Sequence, residues 1–211
     1  MDRTWIVLGE RVGLTAMDRE EFGARWDAYN DASLGMLLTH ATTPHLPGAP
    51  RRAPITRDVR EALWDFVNSP CARAFDIRAA EDQRFVGECS LSGIAWPAAS
   101  AEVAVAVIDP ADRGRGWGTE AVKLLIAYGF DGLGLHRVTL RYLAANEAAV
   151  TAIANHADGT GARVVGIERE AAWAYGGHQD CVLLEVLASD FPPHPATAYL
   201  RETPARVQLT G

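Results

Sequence analysis

The sequence predicts a mixed α/β (α+β) fold with one central, mostly antiparallel sheet flanked by helices. Two early helices precede a run of short strands, and a glycine-rich loop then leads into an apolar helix with further strands after it. The strand, helix, strand order around that loop favours one parallel pair within the sheet. The chain has 211 residues, 48% apolar and 22% charged, which suits a single core. We therefore expect one domain over residues 1–190 and a C-terminal extension over residues 191–211.

The N-terminal part should contain two short strands and two helices separated by a long loop. Residues 5–17 are rich in β-branched residues around a turn, which predicts a strand pair. A capping-box pattern at Asp18 begins a first helix. Residues 34–54 carry proline and glycine without periodicity, which is typical of a long loop, and such loops often serve as lids or binding segments. Thr56 caps a second helix that Pro70 closes.

The remaining elements follow from changes in hydrophobic periodicity. Alternating segments predict strands, and apolar residues at helical spacing predict helices. We expect strands at 74–78, 85–91 and 101–108, a helix from about 119 to 133, a strand at 137–143, a helix at 146–157, and two last strands at 162–170 and 181–187.

Composition and charge exclude several classes of function. The net charge of −7 argues against a nucleic-acid surface, which needs a dense basic patch, and suits a cationic or amine-bearing partner better. Cys71, Cys89 and Cys181 are widely spaced without a Cys-x-x-Cys pair, so we expect neither disulfides nor a metal site. No signal pattern is present, and no apolar run approaches the ~18 residues of a membrane helix. We therefore expect a cytoplasmic protein without a membrane partner.

The segment DPADRGRGWGTEAVKLLIAYGF, from Asp109 to Phe130, places three glycines within five residues directly before a helix-forming run. Bare backbone there lets amide groups approach an anion, and a helix N-terminus adds about half a positive charge. A nucleotide P-loop would end in Gly-Lys-Ser/Thr, whereas this loop ends in Gly-Thr-Glu. The dinucleotide fingerprint differs in spacing and in position. A different phosphate-binding loop remains, beside the alternative of a turn that only joins strand to helix.

The loop residues 113–118, Arg-Gly-Arg-Gly-Trp-Gly, fit the pattern Arg/Gln-x-x-Gly-x-Gly/Ala. Preceded by VIDP and followed by TEAVKLLIAYGF, they resemble the acetyl-CoA loop of the GCN5-related N-acetyltransferases, most closely the ribosomal-protein N-acetyltransferase-like branch (RimJ/RimL type). The likeness continues through RFVGECSLSGI, AEVAVAVIDP and GLHRVTLRYLAANEAAV and covers about residues 5–188. It implies a splayed parallel strand pair and direct transfer of an acetyl group from acetyl-CoA to a primary amine. The amine would belong to a small molecule or to a protein N-terminus.

The resemblance also implies a set of residues that contact coenzyme A. The glycines would expose the amides of residues 114–119 to the pyrophosphate, and the two loop arginines would add charge-assisted bonds. The family places the pantetheine arm along the strand before the loop. By period-two alternation one face of that strand carries Glu102, Ala104, Ala106 and Ile108, and its two alanines either leave space for a ligand or pack under a helix. An asparagine after the next strand contacts the cofactor or caps a helix. The expected cofactor-binding residues are Ala106, Val107, Ile108, Arg113, Gly114, Arg115, Gly116, Trp117, Gly118, Thr119 and Asn146.

The sequence departs from the family where side chains often assist the chemistry. Many relatives carry a tyrosine seven residues after the asparagine, and Ile153 stands there. Some carry a glutamate five residues before it, where this chain has Arg141. The usual Gly-Phe after the helix is replaced by the longer run 158–163. These departures affect the expected chemistry and leave cofactor binding untouched.

Acetyl transfer requires a neutral amine, so a base is useful. Glu88 and Glu102, on neighbouring predicted strands, are our candidate catalytic bases, although a charged residue on a strand more often only faces solvent. The loop histidines His40 and His45 are further candidates. Cys89 shares its strand face with apolar residues, so we expect it in the core and not as an acyl-carrying nucleophile.

Two other classes of function stay open. A catalytically weak acyl-CoA-binding or regulatory module would bind the cofactor without releasing thiol when amines are added. A dinucleotide-binding protein would bind NAD and not coenzyme A. The prolines from Pro192 onward also suit oligomer contacts, and a homodimer is compatible with them.

Overall fold

The computed structural model of the protein describes residues 3–31, 55–146 and 159–202. Its strands are β1 (Trp5–Leu8), β2 (Val12–Ala16), β3 (Arg73–Ala79), β4 (Phe85–Ala95), β5 (Ser100–Val107), β6 (Arg137–Leu143), β7 (Arg163–Ala174) and β8 (Gly177–Leu187). They form one eight-stranded sheet in the order β1-β2-β3-β4-β5-β6-β8-β7. All neighbours are antiparallel except β5 and β6. This confirms the predicted mixed sheet with one parallel pair.

Helices flank this sheet, and their starting points follow local capping signals. The α-helices are α1 (Arg19–Ala24), α2 (Arg57–Val67), α3 (Trp117–Asp131) and α4 (Ala198–Arg201). Short 3-10 helices cover Arg25–Asn30, Trp96–Ala98, Pro110–Asp112 and Pro195–Thr197. The Asp18 carboxylate accepts from the amides of Glu20 and Glu21 at 2.9 and 3.0 Å, and the Thr56 hydroxyl accepts from that of Val59 at 3.3 Å. Both N-caps lie where the sequence predicts them.

The sheet carries α3 on one face and the α1–α2 pair on the other. Along β5, Ala101 and Val103 point into the main core with the buried side of α3. Ala106 points the other way, where it contacts Tyr29 of the 3-10 helix that follows α1. Period-two alternation along this strand therefore separates two environments, a packed core and a second face.

The β7–β8 hairpin is longer than expected. β7 extends to Ala174 and β8 begins at Gly177, where the sequence predicts strands at 162–170 and 181–187. The connecting residues Tyr175 and Gly176 both have positive φ, 53° and 79°, which is the backbone of a tight two-residue hairpin turn. Tyrosine is not a usual residue for that conformation, so the turn gave no clear signal in the sequence.

The chain after Asp190 differs from its expected position outside the core. Phe191 packs edge to face on Phe130 with ring centroids 5.5 Å apart, and Thr197 is fully buried. The carboxylate of Asp131 accepts from the Thr197 hydroxyl and pairs with Arg201, both at 2.5 Å. Residues 191–202 are thus packed against the C-terminal end of α3.

Several expectations fall on parts of the chain that are not described. The predicted loop at 34–54, with His40 and His45, lies outside the described residues, and so does most of the predicted helix at 146–157, with Ile153. Within the described ranges, every helix is too short or too polar to cross a bilayer.

Candidate active site

A gap opens in the sheet where the two parallel strands part. β5 and β6 are paired only from Ser100–Val103 to Arg137–Leu140, although both strands continue. On its other side β5 stays paired with β4, and the Ile108 amide donates to the Val86 carbonyl at 3.1 Å. By alternation the backbone of Ala106 also faces β4, whereas that of Val105 and Val107 faces the gap. Of the three strand residues expected to present backbone groups to a ligand, only Val107 does so.

The glycine-rich loop forms the end of this gap. Gly114 and Gly116 have φ of 74° and 79°, which explains glycine at both positions, and Gly116 is the N-cap of α3. A Cβ at Gly118 would lie 3.3 Å from the Val107 side chain, so the third glycine lets α3 approach β5. Among the described residues, no side chain caps the N-terminus of α3. The backbone amides of its first turn, which include that of Thr119, therefore lack a side-chain acceptor there, and free amides at a helix N-terminus are an arrangement that binds phosphate.

Arg113 and Arg115, both expected at the phosphates, have different roles. The Arg113 guanidinium donates to the carbonyls of Val107 and Ile108 at 3.1 and 2.8 Å, so it braces the end of β5. Arg115 is 57% exposed, and its nearest carboxylate oxygen, on Asp112, is 3.9 Å away. Arg115 is the more exposed of the two and has the more open guanidinium for a phosphate contact.

Two further arginines at the loop were not predicted. The Arg11 guanidinium donates to the Arg115 carbonyl at 3.1 Å and pairs with Glu120 at 3.2 Å. Arg84 forms a bidentate pair with Asp112, at 2.6 and 3.0 Å. The guanidinium groups of Arg84 and Arg115 lie 5.3 and 5.6 Å from the ring centre of Trp117. Because these residues are distant in sequence from the loop, only the sheet brings their positive charge to it.

A cleft lies on the opposite face of the sheet, between β4, β5 and the α1–α2 pair. Its walls include Phe22, Leu63 and Phe66, and its floor includes Ala104 and Ala106. The two alanines of β5 leave space there, as their alternation in the sequence suggested. β5 therefore borders both the cleft and the gap.

Glu88, a candidate base, lies buried at the floor of this cleft with only 8% of its surface exposed. Its carboxylate accepts from the Tyr29 hydroxyl and binds Nη2 of Arg60 through both oxygens, and Nε of Arg25 is 3.4 Å away. Arg60 is 4% exposed and is stacked between the rings of Phe22 and Tyr29. Burial, and then the Glu88 charge, raise the pKa of Tyr29 well above its usual value. The charge of Glu88 is therefore neutralised by buried partners, and its carboxylate does not face solvent.

Glu102, the other candidate base, lies on the same face in a different setting. It is half-buried, and no hydrogen bond or ion pair engages its carboxylate within the described part of the chain. Glu102 lies opposite Ser92 of β4, which lines the cleft. Glu88 of β4 lies opposite Ala106, so the positions of the two glutamates are about 13 Å apart along the strand direction. Glu102 is adjacent to Val103, where the gap closes.

Two residues compared with the family pattern, Asn146 and Arg141, lie near the far end of β6. Asn146 follows that strand, and its backbone N–H donates to the Leu143 carbonyl at 2.9 Å. Arg141 pairs with Glu168 at 3.0 Å on the face that bears the cleft.

Cys89 of β4 is buried in the core, and burial raises the pKa of its thiol well above the usual value. The expectation that Cys89 is a core residue is confirmed.

A splayed parallel pair, a phosphate-type loop at its open end and a cleft across the sheet together define an acyl-CoA-dependent transferase fold. The family model described as acetyltransferase (GNAT) domain matches residues 11–156. The chain belongs to this family and is an acetyl-CoA-dependent acyltransferase. No curated protein matches it significantly.

Solved structures with the same fold come from spermidine N-acetyltransferases. The enzyme from Vibrio cholerae in complex with CoA and spermine is 20% identical, with a TM-score of 0.70 over 85% of this chain and 96% of that one. Mutant forms of the spermidine/spermine N-acetyltransferase SpeG from the same organism are 21% identical, with a TM-score of 0.67 over 85% and 95%. A chimera of the Vibrio cholerae enzyme and hSSAT is 21% identical, with a TM-score of 0.64 over 85% and 97%. At this identity the likeness establishes the fold.

Proposed function

We propose that the protein transfers an acetyl group from acetyl-CoA directly to a primary amine, with both substrates bound together. The observation that carries the proposal is the gap between β5 and β6, which opens beside the N-terminus of α3 and is bordered by β5, the strand that also forms the floor of the cleft. The order of loop, helix, strand and Asn146 supports placing the chain in the RimJ/RimL-type branch. The acceptor is a small-molecule amine, and a protein N-terminal amine is the alternative.

The residues at the loop fit the pyrophosphate of coenzyme A. A Cβ at Gly114 would meet nothing within 4 Å, so the loop has open space on its outer side. The first-turn amides of α3 would donate to phosphate oxygens, and the guanidinium groups of Arg11 and Arg115 would supply positive charge. Along the gap, where β6 has parted from β5, the backbone of Val105 and the amide of Val107 would bind the pantetheine arm, because Arg113 already occupies the Val107 carbonyl. Bound acetyl-CoA would supply the thioester that the amine nitrogen attacks, with release of the free thiol.

Glu102 is the residue that we assign to proton uptake. An alkylamine has a pKa near 10, so it must lose a proton before it attacks. Within the described ranges no side chain pairs with the Glu102 carboxylate, which can accept that proton directly or through water. As the C–N bond forms and the C–S bond breaks, the acylated nitrogen gives up its second proton and the thiolate takes up one proton, both by way of solvent, so that the free thiol leaves. A thiol pKa of about 8.5 makes the thiolate a fair leaving group. Both carboxylate oxygens of Glu88 are bound by Arg60 and Tyr29, so we assign Glu88 a structural role at the floor of the cleft.

Calorimetric titration with acetyl-CoA tests the cofactor site. Gly116→Glu should weaken binding at least ~100-fold, because bulk and negative charge enter the loop. Gly134→Glu is the matched control, since Gly134 has a similar φ of 68° at the far end of α3 with open space around it. We expect this control to bind like the native protein. Equal binding by both variants would mean that the loop is only a turn.

Thiol release with an amine acceptor tests the chemistry. Glu102→Gln should lower kcat by about 10²–10⁴ without changing the affinity for acetyl-CoA. Glu185→Gln is the control, because Glu185 shares that face of the sheet two strands away, where it pairs with Arg137 at 3.6 Å. A native rate in Glu102→Gln would remove Glu102 from the mechanism. Tight cofactor binding without thiol release for any amine would identify an acyl-CoA-binding module instead.

A further inference from the structure

We propose that the acceptor is a small primary amine carried on an uncharged apolar body, and that the cleft discriminates against polyamines. This inference rests on the proposed function, because it concerns the same site. Three features carry it: the walls of the cleft, the state of its one buried carboxylate, and the charge balance of the network behind it.

The described walls of the cleft are apolar. α1 contributes Phe22, α2 contributes Leu63, Phe66 and Val67, and the end of β2 contributes Met17. Burying an alkyl or aryl group against such walls is favourable by about 25 cal/mol for each Å² of apolar surface. The walls therefore suit the hydrocarbon part of an amine.

The carboxylate in the cleft is not available to a cation. Both oxygens of Glu88 bind Arg60, and the Tyr29 hydroxyl and Arg25 approach as well. An incoming ammonium would have to displace a guanidinium that is itself stacked between two aromatic rings. Charge-assisted pairs of this kind, buried and geometrically fixed, are costly to open.

The network behind Glu88 supplies no excess negative charge. Asp76 is fully buried and pairs with Arg25 at 2.8 Å and Arg78 at 2.9 Å, and Arg78 also pairs with Glu21 at 2.6 Å. With Arg60 and Glu88 included, and with Arg3 bound to Glu21 at 2.7 Å, four guanidinium groups meet three carboxylates. The face behind the cleft thus carries no excess negative charge, although the whole chain is acidic.

A polyamine keeps one or more ammonium groups after its reacting nitrogen has lost a proton. Placed in this cleft, such a group would lose water and meet Glu88, whose carboxylate is already paired, while Glu102 is assigned to the reacting nitrogen. The loss of water without a new counter-ion is strongly unfavourable. A monoamine with a hydrocarbon body has no such group. We therefore expect this chain to differ from the spermidine N-acetyltransferases in its acceptor, although it shares their fold.

Hexylamine and 1,6-diaminohexane form a matched pair of probes, because they present the same amine on the same chain and differ in a second ammonium. In thiol-release assays with acetyl-CoA, we expect kcat/KM for hexylamine to exceed that for 1,6-diaminohexane at least 10-fold after correction for the two equivalent amines, with spermidine weaker still. A preference for the diamine or for spermidine would overturn the inference while supporting the proposed function. The same holds if only a peptide N-terminal amine is acetylated.

Leu63→Glu and Leu63→Gln test the same point within one chain. Leu63 is half-buried on α2, so both polar replacements keep the helix and differ in one negative charge. We expect the ratio of kcat/KM for 1,6-diaminohexane to that for hexylamine to rise at least 10-fold in Leu63→Glu relative to Leu63→Gln. An unchanged ratio would show that charge in the cleft does not select the acceptor. If no amine is acetylated by the native protein although acetyl-CoA binds, the proposed function fails and the inference fails with it.

Discussion

Replacement of Arg60 by methionine should destabilise the protein far more than its position on a short helix suggests. Methionine retains much of the side-chain length but leaves the Glu88 carboxylate, 8% exposed, without its main counter-ion. Breaking a buried pair from one side costs about 3–5 kcal/mol. For a domain of this size, that corresponds to a fall in Tm of roughly 6–20 °C.

Urea denaturation followed by circular dichroism measures this cost. The double variant Arg60→Met with Glu88→Gln removes both charges, so it should recover a large part of the loss, whereas Glu102→Gln alone should lie within about 0.5 kcal/mol of the native protein. A loss below about 1 kcal/mol in Arg60→Met, or a double variant as unstable as the sum of the two singles, would refute the buried-pair argument.

Two further predictions concern titration and reactivity. The hydrogen bonds from Arg84 lower the pKa of Asp112 below its ordinary value of 3.8. The ionised Asp112 therefore stabilises the folded state above its ordinary pKa, and this stability is lost as the pH falls through the lower pKa of the folded state. The unfolding free energy of Asp112→Asn should fall short of the native value by the full amount at neutral pH and by less in acid. A difference that does not change with pH would contradict this. Cys71 is exposed whereas Cys89 and Cys181 are buried, so a thiol reagent should label one cysteine in the folded protein and three after denaturation. Rapid labelling of Cys89 in the folded protein would reopen its role as a nucleophile.

Local signals were sufficient to predict the loop and the elements next to it. The N-caps Asp18 and Thr56 and the glycines before α3 each act within a few residues, where the sequence is directly informative. Alternation along β5 also predicted correctly that Glu102 and Ala106 share a face. Structural features that depend only on neighbouring residues could therefore be predicted from the sequence.

The partners of the site residues could not be predicted, because they are brought together by tertiary structure. Glu88 is a candidate base by sequence, with a solvent-facing strand residue as the alternative, yet the structure pairs it with Arg60 and Tyr29, which lie 28 and 59 residues away in sequence. Arg113 fits the family's loop pattern, but its side chain turns back to the carbonyls of Val107 and Ile108. A pattern identifies a residue type at a position and does not determine which of several acceptors the side chain binds.

The two glutamates of the cleft face show how one sheet assigns different roles to the same residue type. Arg60 neutralises Glu88 and ties α2 to β4, and so the pair that removes negative charge from the cleft also fixes the helix that forms its apolar wall. Glu102 has no such partner among the described residues, and in our proposal it is assigned to proton transfer at the closed end of the gap. A change of acceptor toward cations would therefore have to introduce new carboxylates on the walls, at positions such as Leu63, because freeing Glu88 would remove the support of the cleft itself.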